Sequence, residues 1–230
     1  MNENMNKIDG VIFDLDGTLL DTTEGVIESV RFAAKELGLP DLPTKDLKKF
    51  IGPPIQKSFL MFYGCEEKMA LRGADLFRNY YKDKALLKAK PYEGIFELCE
   101  ILQKEKIKMA VATYKREDYA LTLLKHFGFD KFCDSMHGAD YHNILKKEDI
   151  VRLCQTEMEC DGNKSVLVGD TLHDAVGAQK AETYFIGVTY GFGFKSDEDL
   201  NEVPHIGVAD MPLEIKKCID CFENVRNECN

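Results

Sequence analysis

The chain has 230 residues, 44% hydrophobic and 30% charged, an ordinary globular composition and enough length for one large domain or two smaller ones. Its formal net charge of -10 argues against a nucleic-acid partner and would repel an anionic small substrate at long range, so a site for one needs a local cation. No apolar run is long enough to span a membrane, and Met1–Lys7 lacks the apolar core of a signal peptide, so a cytoplasmic monomer or homodimer is expected.

Gly10–Phe13 is a short apolar run that predicts a buried strand. It leads into Asp14-Leu15-Asp16-Gly17-Thr18-Leu19. Two aspartates at i and i+2 can face one cavity, and Gly17 lets the backbone turn sharply. A helix follows, capped by Asp21, Thr22 or Thr23. It carries Val26, Ile27, Val30, Ala33, Ala34 and Leu37 at helical spacing and stops at Gly38 and Pro40. From Thr44 to about Leu87 the pattern stays helical but broken, and nothing between Thr22 and Ala85 predicts a strand. Within it, Gly52-Pro53-Pro54 is a stiff non-helical break, expected to help choose the substrate.

From Lys90 onward the periods alternate. Helices are predicted over 95–104, 116–127, 147–158, 172–181 and 212 to about 225. Strands are predicted over 108–112, within 132–138, over 165–168 and 184–189, with a weaker one over 205–209. Such alternation predicts an α/β fold, a doubly wound parallel sheet with helices on both faces. Residues 1–20 and 86–230 form this Rossmann-like core, and residues 21–85 an inserted all-helical cap domain.

The eight cysteines are scattered, and reduced thiols are expected. Cys218-Ile219-Asp220-Cys221 is a lone C-x-x-C with Cys229 nearby; lacking a second pair or suitably spaced histidines, it is expected to be two thiols on a helix rather than a zinc site.

Three predicted strands end in polar residues: Asp14 and Asp16 after the first, Thr113 after the second, and Gly169-Asp170-Thr171-Leu172-His173-Asp174 after the third. Parallel neighbours would bring them to one rim of the sheet, where open α/β sheets place their ligand chemistry. Singly, each could be a strand-end threonine or a helix-capping aspartate; three such coincidences are much less likely than one. Lys147 opens a helix, where a cation opposes the helix dipole; Lys146 is the competing candidate. Four carboxylates in one pocket demand a cation, since two unit charges ~4 Å apart repel by about 4 kcal/mol at an effective dielectric near 20. All-oxygen donors suggest a hard ion, Mg²⁺. A carboxylate nucleophile, a hard metal, a lysine and a hydroxyl are the parts of phosphoryl transfer.

These motifs, with Ala112-Thr113 and Lys147, resemble the four ordered motifs of the haloacid dehalogenase-like superfamily. The cap's position after the first motif, Ile51-Gly52-Pro53-Pro54, Pro91-Tyr92-Glu93-Gly94-Ile95 and Ile186-Gly187-Val188-Thr189-Tyr190-Gly191 resemble its phosphoglycolate phosphatase-like branch. The resemblance implies a Mg²⁺-dependent phosphatase acting on a small phosphorylated metabolite through an aspartyl-phosphate. Asp14 would be the nucleophile and Asp16 the general acid and base, with Thr113 and Lys147 holding the phosphoryl oxygens. It also implies that Asp14, Asp170 and the backbone carbonyl of Asp16 bind the metal, with Asp174 anchoring its shell. Tyr114 stands where many relatives have Ser or Asn, and Lys115-Arg116 is unusually basic; both could touch the substrate. A phosphomutase on the same scaffold and a non-enzymatic phospho-accepting signalling domain are the alternatives. The second would be shorter and would have no use for Asp16.

Overall fold

The structure, a computed structural model, describes residues 7–141 and 144–228. In chain order its elements are β1 (Gly10–Phe13), β2 (Leu20–Asp21), α1 (Thr23–Glu36), α2 (Thr44–Leu47), α3 (Ile55–Tyr63), α4 (Glu67–Tyr80), β3 (Lys90–Pro91), α5 (Ile95–Lys104) and β4 (Lys108–Arg116). Then come α6 (Glu117–Phe127), β5 (Ser135–Ala139), α7 (Lys147–Glu157), β6 (Ser165–Gly169), α8 (Leu172–Lys180), β7 (Tyr184–Val188), β8 (Gly207–Ala209) and α9 (Pro212–Glu228). Two compact units result: residues up to Leu20 together with those from Pro91 onward, and Asp21–Lys90.

The first unit is built on a six-stranded sheet in the order β5-β4-β1-β6-β7-β8, with every pairing parallel. Its middle strands are apolar because helices cover both faces; Val11, Ile12, Val111, Val166, Leu167 and Ile186 are fully buried. The chain runs from β1 to β4 and β5 on one side, then to β6, β7 and β8 on the other. The order therefore reverses beside β1, the switch point where such sheets bind ligands. Register fixes what meets there: Phe13 pairs with Val111 on one side and Val168 on the other. The next residues, Asp14, Ala112-Thr113 and Gly169-Asp170, thus emerge side by side.

The element boundaries show where local pattern was and was not decisive. Helix α5 covers the predicted 95–104. Strand β4 runs on to Arg116, past the end of its apolar run, since Arg116 still pairs with Ala139 of β5 beyond an irregularity in the ladder. The strand predicted within 132–138 spans Ser135–Ala139; ahead of it a 3-10 turn occupies Phe129–Lys131, and the Phe132 and Cys133 N–H groups still donate to the Phe129 carbonyl. Cys218 and Cys221 lie on α9 as free thiols; Cys229 is outside the described residues.

The second unit is helical. Helix α1 buries Val26, Ile27, Val30, Ala33 and Ala34. Phe50 and Phe59 meet edge to face at 5.6 Å between centroids, and Phe32 stacks on Tyr80 at 4.2 Å. Gly52 adopts φ +98 in the break before α3, the left-handed region that suits glycine. Ile51 is buried while Gly52, Pro53 and Pro54 are exposed. A π-helical turn, Tyr81–Ala85, ends the helical run. The Lys88 carbonyl then accepts the Gly25 N–H and its ammonium pairs with Glu28. This unit therefore extends to Lys90, later than the boundary at 85 read from the sequence.

Candidate active site

Asp14 follows β1 directly, and its N–H donates to the Val168 carbonyl at 2.9 Å, continuing the ladder toward β6. Its carboxylate is almost wholly buried. The Lys147 ammonium lies 2.6 Å from Asp14 Oδ1 and 2.6 Å from Asp174 Oδ1. Of the two adjacent lysines, Lys147 is 1% exposed and reaches Asp14, whereas Lys146 is exposed on the outside of the α7 start. The start of α7 is held from β4: the Tyr114 hydroxyl accepts the Lys147 N–H at 2.8 Å. Tyr114 also brings its ring within 5.9 Å of the Lys147 ammonium.

Asp174 sits in the first turn of α8 and closes a capping box with Thr171. Its Oδ2 accepts the Thr171 N–H at 3.1 Å and the Thr171 hydroxyl at 2.5 Å. It is thus both a helix cap, the plain alternative raised from the sequence, and a partner of Lys147.

Asp170 is fully buried between β6 and the loop after β7. Its Oδ2 accepts the Phe192 N–H at 2.6 Å and the Gly193 N–H at 3.0 Å. That contact explains the glycines of the loop: a Cβ on Gly191 would stand 2.5 Å from Asp170 Oδ2, and one on Gly193 2.2 Å from the Asp170 carbonyl. Gly17, at φ +89, makes an equally close approach from the other side. The other oxygen, Asp170 Oδ1, is buried with no hydrogen-bond partner among the described residues.

Asp14, Asp170 and Asp174 each offer one carboxylate oxygen, and these oxygens lie within 4.8 Å of one another. The Lys147 ammonium pairs with two of these three carboxylates. Burial, with Asp174 and Asp170 nearby, raises the Asp14 carboxyl against the pull of Lys147. Burial, then Asp174, pushes Asp170 up to about 6 despite the two loop amides. Burial pulls Lys147 down, but Asp14 and Asp174 outweigh it and its ammonium is held above the usual range.

Asp16 is placed differently. Its carboxylate is not part of that cluster; both its oxygens take the Lys115 ammonium, at 2.9 and 3.0 Å. Thr113 is buried, and its Oγ1 accepts the Lys115 N–H at 3.2 Å. The structure therefore brings Asp14, Lys147, Asp170 and Asp174 into direct or near contact, with Thr113 and Asp16 joined through Lys115. The sequence marks Lys115 as unusually basic but does not name its partner. The amides of Phe192 and Gly193 lie in the loop after β7 and, as backbone groups, leave no side-chain pattern in the sequence.

A doubly wound parallel sheet with a buried acidic pocket at its switch point, neutralised in part by a lysine, makes this an α/β protein with its ligand chemistry at the carboxyl ends of the strands. The sequence profile of the haloacid dehalogenase-like hydrolases matches residues 11–188. A 5'-nucleotidase from Pseudomonas aeruginosa is 32% identical over 85% of this chain and 89% of its own. A phosphoglycolate phosphatase from Agrobacterium fabrum is 29% identical over 79% of this chain and 80% of its own. The crystal structure of a predicted phosphatase from Clostridium acetobutylicum superposes with TM-score 0.82 and 32% identity, covering 93% of this chain and 98% of that one. The chain belongs to the haloacid dehalogenase-like hydrolases and is an enzyme of that family's phosphatase type. Among the described residues, no helix is long and apolar enough to cross a membrane.

Proposed function

We propose that the protein hydrolyses a small phosphate monoester with Asp14 as nucleophile and Mg²⁺ as cofactor. The observation that carries this reading is the buried, under-neutralised carboxylate cluster around Asp14. The donor set fits a hard divalent ion: it is all oxygen, carries excess negative charge, and includes the orphaned Asp170 Oδ1. Asp14, Asp170 and the Asp16 carbonyl would hold it, with Asp174 supporting. When bound, Mg²⁺ would neutralise phosphoryl oxygens and draw the ester to Asp14.

The chain's own residues then divide the work. An Asp14 oxygen attacks phosphorus as the bond to the leaving oxygen breaks, giving an aspartyl-phosphate. The Asp16 carboxyl gives its proton to that leaving oxygen, then takes a proton from the water that attacks the intermediate and frees Asp14 and phosphate. Lys147 and the Thr113 hydroxyl donate to phosphoryl oxygens where charge builds up. The helical unit is proposed as the part that selects the leaving group, since the core residues supply the chemistry alone. Nucleoside monophosphates, phosphoglycolate, sugar phosphates and pyrophosphate are the candidates. The test is release of inorganic phosphate from a panel of such compounds, with Mg²⁺ and with excess chelator. Metal-dependent release from at least one is expected; equal release in chelator, or none from any, would defeat the proposal.

A further inference from the structure

We infer that Lys115 is a positioning residue for Asp16, holding its carboxylate in the orientation that serves the leaving oxygen. This rests on the reading of Asp16 as general acid. One ammonium contacts both Asp16 oxygens, at 2.9 and 3.0 Å. The pair is largely removed from solvent, at 10% and 18% side-chain exposure, unlike a surface ion pair, whose geometry is loose and screened. The lysine itself is anchored, since its N–H donates to Thr113 Oγ1. Strand β4 thus delivers Thr113 and, two residues on, the clamp on Asp16.

The chemistry makes such a clamp useful. Asp16 follows the strand rather than lying in it, beside Gly17 at positive φ, so β1 alone does not fix its carboxylate plane. A proton donor misplaced by about 1 Å loses much of its effect. A contact to both oxygens sets that plane. The same lysine would otherwise be a plain charge neutraliser, and the two roles differ in what they do to kcat/KM for different leaving groups.

An ester with a poor leaving group, such as glycerol phosphate, needs its leaving oxygen protonated. An ester with a good one, such as p-nitrophenyl phosphate, does not. The experiment measures kcat and KM for both esters in wild type, Asp16→Ala, Lys115→Met and Lys115→Arg, each checked for wild-type circular dichroism. Asp16→Ala should lose on the order of 10²–10⁴-fold in kcat/KM for the alkyl ester and far less for the aryl ester, since kcat/KM stops at the aspartyl-phosphate whereas kcat also carries the hydrolysis step that Asp16 serves for both. Lys115→Met should repeat that selectivity in kcat/KM at smaller size, roughly 10-fold or more against about 3-fold. Lys115→Arg, whose planar fork can also hold a carboxylate, should recover part of the alkyl activity. If Asp16→Ala discriminates but Lys115→Met lowers kcat/KM equally for both esters, or leaves both unchanged, the inference is overturned while the reading of Asp16 stands. If Asp16→Ala fails to discriminate, that reading falls and the inference with it. Should Lys115→Met not fold, Lys115→Leu, which also lacks a donor, provides the same comparison.

Discussion

Lys147 and Asp14 lie 133 residues apart in the chain and form a buried ion pair of 2.6 Å. The lysine comes from the first residue of α7 and the aspartate from the end of β1. Asp174 makes a second contact to the same ammonium at 2.6 Å. The ammonium is therefore the counter-charge of the pocket as well as a candidate phosphate ligand.

Lys147→Met should then destabilise the chain, by about 3–5 kcal/mol, because it leaves buried carboxylates without their partner. Adding Asp14→Asn to it should return part of that loss. Urea midpoints of the two single variants and the double variant measure this. Additive losses would mean that the two side chains are not coupled in solution.

Asp14→Asn alone should fold and lose at least on the order of 10³-fold in phosphate release, since an amide keeps the shape but cannot form the acyl phosphate. Mass spectrometry must exclude deamidation. Substantial turnover by the verified Asp14→Asn variant would remove Asp14 as nucleophile.

Stability in chelator should depend on pH through Asp170, whose carboxyl stands at about 6 in the fold against 3.8 when free. The folded chain then holds a proton that the unfolded chain gives up between those values. Its contribution is fully present below pH 3.8 and is lost as the pH rises through about 6. Compared with Asp170→Asn, wild type should lose on the order of 3 kcal/mol between about pH 4 and about pH 7.5. At the upper end of that range, Mg²⁺ should raise the wild-type melting temperature more than that of Asp170→Asn. Parallel pH curves for the two proteins would contradict the burial argument.

Tyr114→Phe removes the acceptor for the Lys147 N–H. The expected cost is about 0.5–1.5 kcal/mol, with kcat falling more than KM changes if the shifted helix start moves the ammonium. Unchanged kinetics and stability would reduce this contact to an incidental one.

Much of the fold was legible because the central strands are buried on both faces and so read as unbroken apolar runs, such as Gly10–Phe13 and Ser165–Gly169. The acidic strand ends were legible too, since parallel pairing in register carries such ends to one rim. What lay outside the local pattern was less visible. Strand β4 continues through Lys115 because β5 still pairs with it beyond that point, a fact of the neighbouring strand and not of the hydropathy of β4. The start of β8 at Gly207 is likewise set by its pairing with Ile186.

The sequence by itself determined which residue types gather at the rim: Asp14, Asp16, Thr113, Asp170 and Asp174, each tied to the end of a strand or the start of a helix whose period is local. Only the tertiary structure decided which cation answers which acid. Lys146 is the extended residue that precedes α7 and is exposed, while Lys147 opens the helix and is buried, so the docking of the α7 start chose Lys147 over Lys146. Lys115 finds Asp16 across 99 residues of chain, and Phe192 and Gly193 find Asp170 through backbone amides that no side-chain pattern records. Local periodicity fixes direction along one element. Ion pairs and amide contacts between elements depend on how those elements dock, and docking is set by the whole core.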